Sequence, residues 1–181
     1  SAALIHGLPL VSDHEVAHLV RPFKQGVRDA DDVVGHTNHL PKSQCEWRHG
    51  LPVTTLERTI VDCAMFLPRH LGLVIADAGL HVGADPQRCS EILRGLAGRR
   101  GVNRARQVMG LADDGAESPG ETSMRFTVIL GGLPDAETQV RIETARGVYW
   151  ADLGWPAVKV VLEYDGKAKY EANGSAADAV L

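Results

Sequence analysis

Apolar and polar positions change their spacing twice along the chain. Residues 1 to about 53 alternate short apolar runs with turn-formers. Val16-Ala17-His18-Leu19-Val20 and Val33-Val34-Gly35-His36 read as short strands, with Gly7-Leu8-Pro9 and Leu40-Pro41 as punctuation. From Thr54 the period lengthens. Thr54-Thr55-Leu56-Glu57 is a capping-box pattern, with Thr at the cap and Glu three residues on. Leu56, Ile60, Val61, Ala64 and Met65 follow at helical spacing, and Pro68 ends the run. Arg58 and Asp62, four apart, are expected to pair on the exposed side of that helix, for a few tenths of a kcal/mol at most.

Three more helices are predicted next. One runs from about Leu71 to Leu80. Another follows Asp85-Pro86, a cap and a first-turn proline, and reaches about Leu96. A third covers about Val102 to Leu111. Between Arg88 and Arg106 the chain carries six arginines (88, 94, 99, 100, 104 and 106) against one acid, Glu91. A solvated helical face explains such a run more simply than a phosphate-binding patch, and both readings stand.

Asp113-Asp114-Gly115-Ala116 is a loop and the expected boundary, dividing the chain into 1–112 and 113–181. Beyond it, Ser118-Pro119-Gly120-Glu121 opens a helix with Ser at the cap, Pro in the first position and Glu in the third. Met124, Val128 and Ile129 form its stripe, and Gly131-Gly132-Leu133-Pro134 closes it. From Gln139 the period is two: Val140, Ile142 and Thr144 alternate with Arg141, Glu143 and Ala145. Val148 to Leu153 and Val158 to Tyr164 read as further strands around Trp155-Pro156. Core packing is the favoured role for Trp150 and Trp155 over stacking on bases.

Composition narrows the classes. Across 181 residues, 19 Lys and Arg face 23 Asp and Glu, a formal charge of −4, which excludes a uniformly basic nucleic-acid coat but not a local basic patch. With 44% apolar and 23% charged residues the chain is expected to fold around a core. Its three cysteines are too few and too widely spaced for a disulfide framework or a paired zinc motif. Its eight histidines lack metal-motif spacing. No membrane-length apolar run or signal peptide is visible, so a cytoplasmic location is expected. The chain begins as if inside a helix and ends at Leu181 as if in a helix's first turns, which reads as a fragment of a longer protein.

Acids stand where a sheet should have none. Asp152 ends one strand, and the apolar run Val160-Val161-Leu162 leads into Glu163-Tyr164-Asp165-Gly166-Lys167. Alternation would put Glu163, Asp165 and, if the strand continues, Lys167 on one face. A charge at the end of a buried strand is costly unless paired or metal-bound. Converging carboxylates beside a lysine would suit Mg²⁺ or Mn²⁺, which can activate a water against a phosphodiester.

Asp152, a gap, then Glu163 to Lys167 resembles the PD-(D/E)xK nuclease core. More narrowly, a helix glutamate, Asp-Leu, and an apolar strand ending in E-x-D-G resemble the very-short-patch-repair-like endonuclease domain of bacterial proteins. The whole chain resembles an actinobacterial architecture in which that domain follows an AbiEi-type abortive-infection antitoxin region. Ser1 to Pro9, Gly50-Leu51-Pro52-Val53-Thr54-Thr55-Leu56-Glu57-Arg58-Thr59-Ile60-Val61-Asp62, Glu117 to Glu121 with Arg125, and Asp152 with Glu163 to Gly166 carry it.

The resemblance implies an α+β chain. A small mixed α/β and helical region would occupy 1–112 and a restriction-endonuclease-like core 113–181, with an N-terminal winged helix and a C-terminal helix and strand missing. It implies Asp152, Glu163 and Glu121 as metal ligands, with Asp165 and Lys167 completing the catalytic set. Either Glu163 is the motif's D/E with Asp165 in the lysine's place, or Asp165-Gly166-Lys167 is the D-x-K. Lys167, Lys169 and Tyr170 stand where close relatives often carry His. Glu121 is equally a capping-box residue, and Asp165-Gly166 fits a plain turn.

Function divides accordingly. One expectation is a Mg²⁺- or Mn²⁺-dependent DNA endonuclease, with Arg94, Arg99, Arg100, Arg104, Arg106 and Arg125 on the nucleic-acid backbone. For Arg125, pairing with Glu121 is the simpler role. The alternative is a non-catalytic, antitoxin-like regulator that binds DNA or neutralises a cognate toxin and uses the nuclease-like fold as a scaffold. A third is an interaction domain whose acids are capped and paired.

Overall fold

The computed structural model describes residues 2–9, 16–21, 32–37 and 40–165. The chain divides into two compact units, 1–114 and 115–181. Its elements are mixed helix and strand, an α+β composition.

Unit 1 opens with a single helical turn, α1 (Ala2–Ile5). β1 (Ala17–Arg21) and β2 (Val33–Thr37) pair in parallel. β3 (Cys45–Arg48) and β4 (Leu51–Thr54) form an antiparallel hairpin. Four helices follow: α2 (Leu56–Phe66), α3 (Arg69–His81), α4 (Pro86–Gly95) and α5 (Val102–Leu111). α2 is the hub, packing on α3, α4 and α5. Its apolar stripe, Ile60, Val61 and Ala64, is wholly buried, as are Leu73 and Ala76 of α3, Cys89 of α4 and Ala105 of α5. That stripe follows the helical spacing of the sequence.

Local chemistry sets the helix ends. Asp85 caps α4, its carboxylate accepting from the Gln87 amide at 2.8 Å. At α2 the cap falls one residue later than the sequence pattern suggests. Thr54 belongs to β4, opposite Cys45, and its hydroxyl bonds that of Thr59 at 2.6 Å in the interior. Thr55 therefore takes the cap, accepting from the Arg58 amide at 3.4 Å, and Glu57 is not the third residue of the box. α5 has no side-chain cap. It starts from Gly101 at φ 88°, a left-handed conformation with the Met65 carbonyl where a Cβ would sit.

In unit 2, α6 (Pro119–Leu130) precedes an antiparallel meander of β5 (Glu137–Thr144), β6 (Gly147–Trp155) and β7 (Val160–Leu162). Register is set by pairs such as Val140 with Ala151 and Leu153 with Leu162. α6 packs on β6. Val140, Ala151 and Leu153 are buried in the sheet, and Thr122, Arg125 and Val128 are buried on the helix at three-residue spacing.

β7 pairs with only the last three residues of β6, so Arg141 to Trp150 form an exposed two-stranded arm among the described residues. Trp150 is 57% exposed on that arm, opposite Arg141, which overturns the core-packing expectation for it. Trp155 is half-buried and its indole donates to the Pro134 carbonyl at 2.9 Å.

Candidate functional site

Among the described residues, three clusters carry polar chemistry. The first lies in unit 1, on the α2 segment that carried the antitoxin resemblance. Arg58 is expected on an exposed face, but its side chain is only 1% exposed. Its Nε donates to both oxygens of Asp62 at 3.0 Å, and its Nη1 donates to Gln44 Oε1 at 2.5 Å. The i,i+4 spacing is as read; the face is not. Gln44 lies just ahead of β3, so its bond to the guanidinium ties the chain entering the β3–β4 hairpin to α2. Burial pushes the Asp62 carboxyl above the usual carboxylate range, and Arg58 and His36 pull it back in part. His36 of β2 lies against Phe66 at the end of α2, ring centroids 4.5 Å apart, and its Nε2 is 2.8 Å from His18 Nδ1. His6 Nε2 bonds the Thr54 carbonyl at 2.8 Å, which pins α1 beside the same hairpin.

The second cluster is the arginine run. Arg94, Arg99, Arg100 and Arg106 are exposed. Arg94 reaches Glu91 only at 4.0 Å, a contact worth little in water. Arg106 donates to Asn103 Oδ1 at 3.1 Å. Arg104 donates to the Leu67 carbonyl at 3.0 Å and the Met65 carbonyl at 3.5 Å, neutralising the negative end of α2. Four guanidinium groups therefore project to solvent around the α4–α5 turn, while Arg104 already serves the fold.

The third cluster is the acid end of unit 2. Glu121 is held by the first turn of α6: Oε2 accepts from the Glu117 amide at 2.8 Å and Oε1 from the Ser118 hydroxyl at 2.7 Å. Ser118 Oγ in turn accepts from the Glu121 amide at 3.2 Å, a capping-box variant in which the carboxylate takes the Glu117 amide and the Ser118 hydroxyl. Asp152 is half-buried on β6, and its Oδ2 accepts from the Tyr164 amide at 2.7 Å. The β6–β7 ladder ends at Leu153 with Leu162, so strand alternation no longer applies to Glu163 and Asp165, which follow as exposed, non-strand residues. Lys167 lies outside the described residues. Arg125 lies on the buried face of α6, 8% exposed, rather than on a surface that could meet a phosphate.

Mg²⁺ or Mn²⁺ needs several free oxygens converging on one point. Among the described residues no group of three or more His, Cys, Asp and Glu side chains is placed to hold a metal ion. Both Glu121 oxygens and one Asp152 oxygen are already engaged by the chain's own donors.

Two contributors escape sequence reasoning: Gln44, which lies far from Arg58 in sequence, and Tyr164, which reads only as a strand residue between two acids. The one advance signal for Tyr164 is Gly120, a poor helix former in the second position of α6.

Comparison with known proteins matches residues 1–111 to the AbiEi antitoxin C-terminal domain. Two uncharacterized proteins of Mycobacterium tuberculosis, MT2308 of strain CDC 1551 / Oshkosh and Rv2248 of strain ATCC 25618 / H37Rv, are each 37% identical over 113 residues. Those alignments cover 59% of this chain and 40% of each relative, so the chain matches less than half the length of these proteins. No solved structure matches. The matched region, with α2 and its buried Arg58–Asp62 pair within it, places the chain in the AbiEi antitoxin C-terminal domain family.

Proposed function

We propose that the protein is a toxin–antitoxin regulator in which unit 1 is the antitoxin module and unit 2 a non-catalytic scaffold. The observation that carries this reading is the family match over 1–111, which falls within the compact unit 1–114. A regulator of this kind has two partners, a cognate toxin and DNA. The reading places it in the cytoplasm, and among the described residues no helix is long and apolar enough to cross a membrane. The solvent-facing guanidinium groups of Arg94, Arg99, Arg100 and Arg106 are the chain's own contribution to DNA binding. They act on phosphate rather than base edges, so they add affinity without sequence preference.

A mobility-shift titration of operator DNA tests the DNA half. Affinity should fall steeply with salt, and an Arg99→Glu/Arg100→Glu variant should bind more weakly with a shallower salt slope. Unchanged affinity and slope in that variant would remove the α4–α5 turn from the DNA contact. The toxin half is tested by co-expression, where the chain should restore growth to cells making its cognate toxin.

A further inference from the structure

We infer that the acid-rich end of unit 2 is a latch that fastens the chain leaving β7 to the start of α6, and that Asp152 is its anchor. The latch deepens the scaffold role proposed for unit 2 and rests on that reading. Three observations converge on it. The Asp152 carboxylate accepts from the Tyr164 amide at 2.7 Å, across the point where the β6–β7 ladder has ended. It supplies the acceptor that a further ladder position would have supplied, and an ionised acceptor makes the stronger bond.

The Tyr164 ring then lies on Gly120, where a Cβ would overlap Cε1, Cζ and Cδ1 of the ring. Glycine in the second position of α6 sacrifices helix propensity, and this contact is what it permits. Finally, both oxygens of the neighbouring Glu121 are taken by the Ser118 hydroxyl and the Glu117 amide. Asp152 and Glu121, two of the carboxylates in the nuclease-like order, thus hold backbone and hydroxyl hydrogens.

The latch makes Asp152 a hydrogen-bond acceptor whose charge is helpful but not essential. An amide oxygen in the same place still accepts from Tyr164; a methyl group does not. Gly120 and Tyr164 are coupled, because an added methyl group at residue 120 is harmful only while the ring is present.

The test uses the whole 181-residue chain. Mn²⁺ alone is titrated and its free signal followed by electron paramagnetic resonance, while exchange of the Tyr164 amide is followed by NMR. The latch predicts no loss of free Mn²⁺ signal up to about 1 mM, where weak oxygen sites already fill. It predicts roughly tenfold faster Tyr164 exchange in Asp152→Ala and most of the protection kept in Asp152→Asn. Gly120→Ala should lower the melting temperature in the wild-type background and raise it in a Tyr164→Ala background. This pair keeps the test decisive if Asp152→Ala does not fold.

Mn²⁺ binding that Asp152→Asn or Glu163→Gln abolishes would overturn the latch. So would Tyr164 exchange unchanged in Asp152→Ala, or Gly120→Ala acting alike in both backgrounds. Each of these failures is distinguishable from failure of the antitoxin reading, which is scored by growth in the presence of the toxin.

Discussion

Replacing Arg58 with methionine probes the interior of unit 1 most sharply. The substitution keeps an unbranched apolar stem in place of the arginine's and removes the guanidinium. It deletes the Nε contacts to both Asp62 oxygens and the Nη1 bond to Gln44, and it leaves a carboxylate only 16% exposed without its partner. Breaking a buried pair from one side costs about 3–5 kcal/mol, and the residual exposure of Asp62 favours the lower end, about 3 kcal/mol. At about 4 °C per kcal/mol for a domain of this size, melting should fall by roughly 12 °C.

The loss should depend on pH. Asp62 already has a folded-state pKa above its ordinary 3.8, so its proton favours the folded state. That contribution is fully present below the unfolded value and is lost as pH rises through the folded value. Removing Arg58 takes away the main pull downward, so the carboxyl rises further and stays neutral to higher pH. The gap between Arg58→Met and wild type should therefore narrow between pH 7 and pH 4.

Urea melts followed by circular dichroism report this directly, since α2 to α5 supply most of the helix. Arg58→Met/Asp62→Asn should recover much of the loss, because no buried charge is then stranded. A single mutant within about 0.5 kcal/mol of wild type at pH 7, or a double mutant as unstable as the two singles summed, would refute the buried-pair argument.

Other outcomes follow from single sites. Burial pushes the Cys63 thiol up to about 11 and the Cys89 thiol up to about 12, whereas Cys45 is exposed. At pH 8 a disulfide reagent should label one thiol quickly in the native chain and three in denaturant. Gly101→Ala forces a side chain into a left-handed position against the Met65 carbonyl and should cost about 1–3 kcal/mol in the same urea melts. Gly110→Ala, in α5 with open space around its Cβ, should instead raise stability by up to about 1 kcal/mol.

Much of the helical architecture was legible because its signals are local. Asp85-Pro86 and Ser118-Pro119 mark the starts of α4 and α6 through side-chain oxygens that bond nearby amides, and α5 begins and ends where periodicity places it. What failed was choosing between faces. Spacing alone says that Arg58 and Asp62 touch; it does not say whether that side of α2 meets solvent or Gln44, which is a tertiary question. The Thr54 cap failed likewise, because a strand and a buried hydroxyl bond claimed that residue first. In unit 2 the strand expected over Val158–Tyr164 forms only over Val160–Leu162: Pro156–Val158 is a 3-10 turn that ends in a left-handed Lys159, and alternation fails past Leu162 because the ladder stops there. Trp150 read as core because aromatic residues usually are, yet β7 is too short to cover the arm that carries it.

The function proposed for this chain is regulation by unit 1 without cleavage by unit 2. Growth of cells producing the cognate toxin, measured with co-expressed wild type and with Asp152→Asn/Glu163→Gln, tests it most directly. Equal rescue by both is the result predicted. Rescue by the wild type alone, with the variant folded and equally abundant, would contradict it and return the acids of unit 2 to a catalytic role.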